Sequence, residues 1–279
     1  MTHDLKHRKP SLSEVLSCLE RSGYLLESRL VRQLVDDGYF VEPNQAVLDP
    51  RTGKSREIDL LAQHFDGTAP IYSVTVKTHF VIEVCNNKLP VVLLTERPDS
   101  PVLAAYESYL KFGCSPEPFP YHSDLDCFQD RLETAGSLFS QFCGISEKKS
   151  GHPGELMAGH PDDLYGSLLK LSEYVDDEVE HWHQPEGLSQ SKSNRVFFWH
   201  PMLALGGDLL VTRVDRDGQA HLEERESAFL EFNRHTDEGL RTALIEFVTA
   251  TAMRRRLAEI VAYDRVLELR AHQLVGRHG

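Results

Sequence analysis

Two short apolar runs, at residues 73–84 and 91–95, constrain the fold of this chain more than any other feature. The first is rich in Val, Ile, Thr and Phe, and the second has the sequence Val-Val-Leu-Leu-Thr. These residue types favour strands, and strands that are apolar on both faces lie in the centre of a covered sheet. The two runs therefore predict a central sheet with helices packed against both of its faces.

Further helices and strands are predicted on either side of these runs. Apolar residues recur at helical spacing over residues 11–37, with a break at Ser22-Gly23, and a closing helix is predicted over 251–274. Additional strands are predicted at residues 39–48, 55–62, 195–199, 203–205, 209–214, 219–224 and 244–248. The turn sequence at residues 49–54 joins the first two of these strands into a hairpin.

The middle of the chain has a different character. Prolines cluster at residues 114–121, and a stretch rich in Gly, Lys, His and Pro covers residues 146–163. We interpret residues 99–194 as a mostly helical insertion, with helices predicted at 101–112, 125–142 and 162–182. The fold class predicted for residues 11–279 is one α/β domain, with a mixed central sheet flanked by helices.

Composition and charge exclude several classes of protein. No stretch approaches twenty uninterrupted apolar residues, so no membrane span is expected. The five cysteines are odd in number and irregularly spaced, which favours reduced thiols and a cytoplasmic location. A net charge of −13 argues against non-specific coating of nucleic acid, but it leaves room for an enzyme with one local basic groove.

Three carboxylates lie where burial makes an unpaired charge costly. Glu27 lies on the apolar stripe of its predicted helix, Asp59 lies near the end of the hairpin's second strand, and Glu83 lies within the apolar run at 73–84. Each acid could simply pair with a nearby base, such as Arg29, Arg56 or Lys77. Alternatively, one Mg²⁺ or Mn²⁺ ion would satisfy all three and would activate water against a phosphodiester.

The order of these residues resembles the PD-(D/E)XK nuclease superfamily, which is restriction-endonuclease-like in fold. The resemblance covers about residues 11–95, and it rests on the helical Glu27, the sequence Arg-Glu-Ile-Asp that ends at Asp59, and Ile-Glu-Val-Cys around Glu83. It implies a divalent-metal-dependent hydrolase of nucleic acid, with DNA preferred over RNA as the expected substrate. By the same resemblance, Asp59 and Glu83 would be the metal ligands and Glu27 an auxiliary acid.

The chain departs from this pattern at Cys85. The family has a lysine two residues after the second acid, where its ammonium would offset negative charge in the transition state. A thiol is mostly neutral at pH 7 and cannot supply that charge. Lys88, just past the strand, is the best substitute, and Lys77 and Lys54 are weaker candidates. The alternative is a catalytically degenerate module that binds nucleic acid, a protein partner or a second copy of the chain.

Overall fold

The computed structural model describes residues 9–48, 53–64, 74–97, 112–115, 138–148, 154–182, 194–237 and 239–278. The helices are α1 (Leu12–Ser22), α2 (Tyr24–Asp36), α3 (Asp162–Trp182) and α4 (Met253–His278). The strands are β1 (Phe40–Leu48), β2 (Ser55–His64), β3 (Val74–Cys85), β4 (Val91–Glu96), β5 (Phe112–Ser115), β6 (Leu138–Glu147), β7 (Leu156–Gly159), β8 (Asn194–Leu205), β9 (Leu209–Val214), β10 (Ala220–Arg225), β11 (Ser227–Thr236) and β12 (Gly239–Thr249).

Local sequence signals set the boundary between α1 and α2. Ser11 and Glu14 form a capping box at the start of α1, in which the Glu14 carboxylate accepts a hydrogen bond from the Ser11 backbone N–H at 2.8 Å. Gly23 ends α1 with a φ of +94°, a left-handed conformation that favours glycine. A Cβ at this position would also lie 2.9 Å from the Cβ of Asn86, so the predicted break is confirmed for two reasons.

The strands form one mixed sheet with the order β1-β2-β3-β8-β12-β11-β6-β4-β9-β10. β1, β2 and β3 are antiparallel neighbours, whereas β3 and β8 run parallel over their whole lengths. β5 pairs with β8, and β7 pairs with β6. The prediction of a mixed α/β sheet is confirmed, and both apolar runs of the sequence lie inside the sheet rather than at its edges.

Helices cover both faces of the sheet near β3. One apolar cluster contains the α3 residues Leu168 and Leu171 together with Val81 of β3. A second cluster, on the opposite face, contains Leu34 of α2 and Leu257 of α4 together with neighbouring β3 residues. Because alternate residues of β3 enter different clusters, this strand is buried on both faces, as its composition predicts. Among the described residues, no helix is long and apolar enough to cross a membrane.

Several predicted elements need correction. The predicted helix at 125–142 is wrong over residues 138–142, which lie in β6, and the rest of that prediction falls outside the described residues. β8 is one strand rather than two because it continues through the buried Pro201, which removes only one ladder donor. β11 was not predicted at all, although it pairs with β12 and β6. The predicted helix at 101–112 lies outside the described residues, except that Phe112 begins β5.

The described part of residues 99–194 is closely joined to the main sheet. β6 lies between β11 and β4 in the strand order, and β5 pairs with β8. The predicted helix at 162–182 is confirmed as α3, and it packs directly over the core rather than apart from it. β6 and α3 therefore contribute to the same hydrophobic core as residues of β2, β3 and β4.

The basic triplet at residues 254–256 is occupied by ion pairs. Arg254 pairs with Asp37, and Arg255 pairs with Glu226 and Glu259. Arg256 is buried and pairs with Glu246 of β12 and with Glu259. Arg256 therefore joins α4 to β12 in the interior, whereas Arg254 and Arg255 form exposed ion pairs on the surface.

We predict that Arg256→Ala lowers the free energy of unfolding by about 3–5 kcal/mol, because it leaves the Glu246 charge buried without its cation. The matched change Arg255→Ala removes an exposed pair from the same helix and should cost less than about 1 kcal/mol. Urea denaturation of the two variants tests the difference. Equal losses would show that the buried pair does not hold α4 in place.

Candidate active site

Asp59 and Glu83 lie on neighbouring strands at the end of the β2–β3 ladder. Leu60 of β2 pairs with Ile82 of β3, and the next residues along the two strands are Asp59 and Glu83. The Asp59 carboxylate accepts a hydrogen bond from the backbone N–H of Val84 at 2.7 Å, which fixes its position beside β3. The structure therefore brings together the two acids that the sequence predicts as metal ligands.

Glu83 is almost completely buried, with 1% of its surface exposed. Its Oε2 accepts a hydrogen bond from the Ser167 hydroxyl at 2.9 Å and pairs with the Lys170 ammonium at 2.5 Å. Its Oε1 is buried and has no hydrogen-bond partner among the described residues. Oε2 is thus paired with two donors of α3, whereas Oε1 is buried and, with respect to the described residues, free to accept a ligand.

The amphipathic pattern of α3 explains why Ser167 and Lys170 reach this site. The buried stripe of α3 faces the sheet and consists of Leu164, Leu168, Leu171 and Val175. Ser167 and Lys170 are three residues apart, so they lie one turn apart along the side of this stripe. The Lys170 ammonium also donates to the backbone carbonyl of Glu57 at 3.0 Å, which ties the helix to β2 as well as to β3.

The chain segment after β3 is held tightly against the turn after β8. The backbone N–H of Gly206 donates to the carbonyl of Cys85 at 2.8 Å, and that of Gly207 donates to the Asn87 side chain at 3.1 Å. A Cβ at Gly207 would lie 2.6 Å from the Asn87 carbonyl oxygen, so only glycine allows this approach. Asn86 in turn donates to the last carbonyls of α1, which fixes the end of β3 from a second direction.

Burial and mutual repulsion raise the pKa values of the acids. Burial raises the pKa of Glu83 to about 7, with a further contribution from the Asp59 charge, and these causes outweigh Lys170 and Ser167. Burial also raises the pKa of Asp59, against the opposing effects of the Val84 N–H and Lys170. The site without a bound cation is therefore electrostatically strained, and it favours a proton or a positive ion.

Glu27 lies at the margin of this acid pair. It is partly buried on α2, and burial raises its pKa, assisted by the nearby charge of Asp59 and opposed by Lys170. Among the described residues, no three His, Cys, Asp or Glu side chains come together closely enough to hold a metal ion. The expectation that one ion serves all three acids stays a prediction, and the described contact of Glu27 with the pair is the electrostatic effect of Asp59 on its pKa.

Neither Lys88 nor Cys85 places a positive charge on the acid pair in the described part of the chain. Lys88 is exposed after β3, and it makes no hydrogen bond or ion pair with any described residue, so its catalytic role stays a prediction. Burial raises the pKa of the Cys85 thiol, and the charges of Asp163 and Asp59 raise it further, so the thiol is neutral at pH 7. The cation that contacts Glu83 is instead Lys170, which lies within the predicted insertion at residues 99–194.

A signal for Lys170 was present in the sequence, but it is weak. Helix 162–182 was predicted with the correct bounds, and Ser167 and Lys170 lie beside its apolar stripe rather than opposite to it. Polar residues at this border are common on any amphipathic helix, so the pattern alone selects no partner. Only the packing of α3 over β3 shows that the partner is Glu83.

The donor groups at Asp59 and Glu83 suit a hard divalent cation. Such ions take oxygen ligands, and the pair offers the unpartnered Glu83 Oε1 beside an Asp59 carboxylate whose hydrogen bond uses only Oδ2. Two carboxylates with water completing the shell are typical of Mg²⁺ sites in proteins. The donor chemistry of Asp59 and Glu83 is therefore compatible with Mg²⁺ or Mn²⁺.

Comparison with known proteins gives no relative from which a function could be transferred. No protein-family model, no curated protein and no solved structure matches this chain. Function is therefore inferred below from the chemistry of the site itself.

We predict that Glu83→Gln changes how stability depends on pH. The pKa of Glu83 is raised from 4.5 to about 7 in the folded state. Protonation of Glu83 therefore contributes to the free energy of unfolding, and this contribution is fully present below pH 4.5 and is lost as the pH rises through 7. A glutamine does not titrate. In buffer with EDTA, the free energy of unfolding of Glu83→Gln relative to wild type should therefore rise by about 2–3 kcal/mol between pH 4.5 and 8.

Asp59→Asn provides the matched control for this measurement. Removal of the Asp59 charge removes the second largest cause of the raised Glu83 pKa. When both proteins also carry Asp59→Asn, the free energies of unfolding with Glu83 and with Gln at position 83 should therefore differ less in their pH dependence. Parallel stability curves for wild type and Glu83→Gln across this pH range would contradict the assigned environment of Glu83.

Proposed function

We propose that this protein is a divalent-metal-dependent nuclease that hydrolyses phosphodiester bonds, with DNA as the expected substrate. The observation that supports this proposal best is the convergence of Asp59, Glu83 and Lys170 at the end of the β2–β3 ladder. The sequence resemblance requires two acids with an amino group beside them, and the chain has Cys85 where the lysine that would carry this group is expected. The mixed sheet with helices on both faces agrees with the same resemblance.

Each residue has a distinct task in this proposal. Asp59 and Glu83 hold the cation, which supplies Lewis-acid stabilisation of the phosphate and a more acidic bound water. Glu27, with its raised pKa, lies close enough to Asp59 to hold or accept a proton at the edge of the site. Lys170 keeps a fixed positive charge next to Glu83, where it offsets negative charge that develops on the phosphate oxygens.

In this proposal, Lys170 takes the place of the lysine that the chain lacks at Cys85. The resemblance expects a lysine on the strand, two residues after Glu83. Lys170 instead belongs to α3, which packs on the face of β3 that carries Glu83. The position of the ammonium matters for electrostatic stabilisation, and the element that carries it does not. A neutral thiol at Cys85 is then acceptable, because the charge comes from elsewhere.

The acidity of the chain limits how nucleic acid could bind. The net charge is −13, and the arginines at 254–256 are engaged with acids. Phosphate binding that relies on few cations loses little affinity with added salt, because few counterions are released. We therefore propose that the metal and Lys170 provide much of the attraction for the scissile phosphate.

The decisive variants are Lys170→Ala and Lys88→Ala, which remove an amino group by the same change at two positions. Cleavage of supercoiled plasmid, single-stranded DNA and RNA is measured with Mg²⁺ and with Mn²⁺. Lys170→Ala should lower the rate by about 100-fold or more, because it removes the positive charge beside the proposed metal ligand Glu83, whereas Lys88→Ala should leave the rate unchanged.

Metal binding separates loss of chemistry from loss of the site. Millimolar Mn²⁺ should raise the melting temperature of wild type and of Lys170→Ala, but not that of Asp59→Asn. Lys170→Met, which keeps the apolar stem, replaces Lys170→Ala if the latter does not fold. Folded wild type that binds no metal and cleaves none of these substrates would overturn the nuclease proposal and favour the degenerate binding module.

A further inference from the structure

The two oxygens of the Glu83 carboxylate have different surroundings. Oε2 accepts from both Ser167 and Lys170, whereas the buried Oε1 has no hydrogen-bond partner among the described residues. The terminal torsion of a glutamate side chain takes a broad range of angles, so one hydrogen-bond donor does not fix the rotation of the carboxylate. Two donors from successive turns of α3 restrain the carboxylate much more strictly.

The hydrogen bond of Ser167 is unusual for a serine within a helix. Such a hydroxyl commonly donates to the carbonyl four residues earlier, as Ser28 does to Tyr24 at 2.9 Å in α2. Ser167 instead donates to Glu83, which lies 84 residues away in the sequence. Its side chain is short and has one torsion, so it defines a position more sharply than the long stem of Lys170.

Lys170 divides its ammonium between two acceptors. It pairs with Glu83 at 2.5 Å and also donates to the Glu57 carbonyl at 3.0 Å. It can therefore neutralise Glu83 without defining the rotation of the carboxylate. Ser167 makes no hydrogen bond to a described residue other than Glu83, so its contact acts on the carboxylate alone.

We propose that Ser167 is a positioning residue that holds Oε2 of Glu83 and thereby presents Oε1 to the cation shared with Asp59. This inference rests on the proposed metal site. It assigns the orientation of the second ligand to a residue of α3, whereas the ligand itself belongs to β3. Ser167 does not touch the cation or the substrate, and its effect passes entirely through Glu83.

The test compares the Mn²⁺ affinity of Ser167→Ala, Ser167→Thr and Ser172→Ala, measured by electron paramagnetic resonance of the free ion. Loss of a residue that orients a metal ligand weakens binding by about 10-fold or more, and Ser167→Thr should recover most of this loss because it retains the hydroxyl. Ser172→Ala is the matched control, since it removes another α3 hydroxyl that contacts Arg234 and not Glu83.

The outcomes separate this inference from the proposed function. Weaker Mn²⁺ binding in Ser167→Ala alone, with recovery in Ser167→Thr, supports the positioning role. Wild-type affinity in a folded Ser167→Ala variant overturns it and leaves the nuclease proposal standing. Equal weakening in Ser172→Ala overturns it as well, because the effect then belongs to α3 as a whole. Wild type that binds no Mn²⁺ overturns the metal site and this inference together.

Discussion

The structure depends most on how it accommodates the buried charge of Glu83. A carboxylate with 1% of its surface exposed loses its hydration, and this loss is large unless cations or donors replace the water. The strand that carries Glu83 cannot supply these groups, because its neighbours are apolar or, in the case of Asp59, of like charge. Helix α3 supplies them, and the placement of that helix over β3 is therefore a requirement of the site.

The rest of the fold holds α3 in that place. Arg234 of β11 donates to Ser172 at 2.9 Å and to Asp176 at 2.7 Å, and Arg56 of β2 pairs with Glu173 at 3.3 Å. The apolar stripe of α3 fills the space between these polar anchors. The helix is thus fixed by side chains from two separate strands, β2 and β11, in the position from which Lys170 contacts Glu83. Such restraint is what electrostatic stabilisation requires of a charged group.

The sequence predicts the parts of the fold that depend on local pattern. The break at Gly23, the hairpin of β1 and β2, the bounds of α3 and the central position of β3 all follow from short-range periodicity or turn chemistry. β11 and the continuity of β8 through Pro201 were missed, because long-range pairing overrides local preference in both cases. Tertiary context of this kind is not encoded in any short window.

In the candidate site, too, the residues with a local sequence signal were predicted and the one that depends on a long-range contact was not. Asp59 and Glu83 were identifiable because each acid interrupts an apolar strand, which is a local signal. Lys170 was not, because its relation to Glu83 exists only once α3 crosses the sheet, 87 residues later in the chain. Lys88 was the preferred lysine because it lies near Glu83 in the sequence, and in the structure its side chain is exposed.

The proposed function requires that Asp59 and Glu83 bind one cation while Lys170 stays paired with Oε2 of Glu83. Anomalous diffraction from a crystal soaked in Mn²⁺ tests this claim most directly, because it locates the ion without reference to activity. We expect one strong peak within coordination distance of Asp59 and of Oε1 of Glu83, with Lys170 still paired to Oε2. A peak bound elsewhere, or an ion that displaces Lys170 from Glu83, would contradict it.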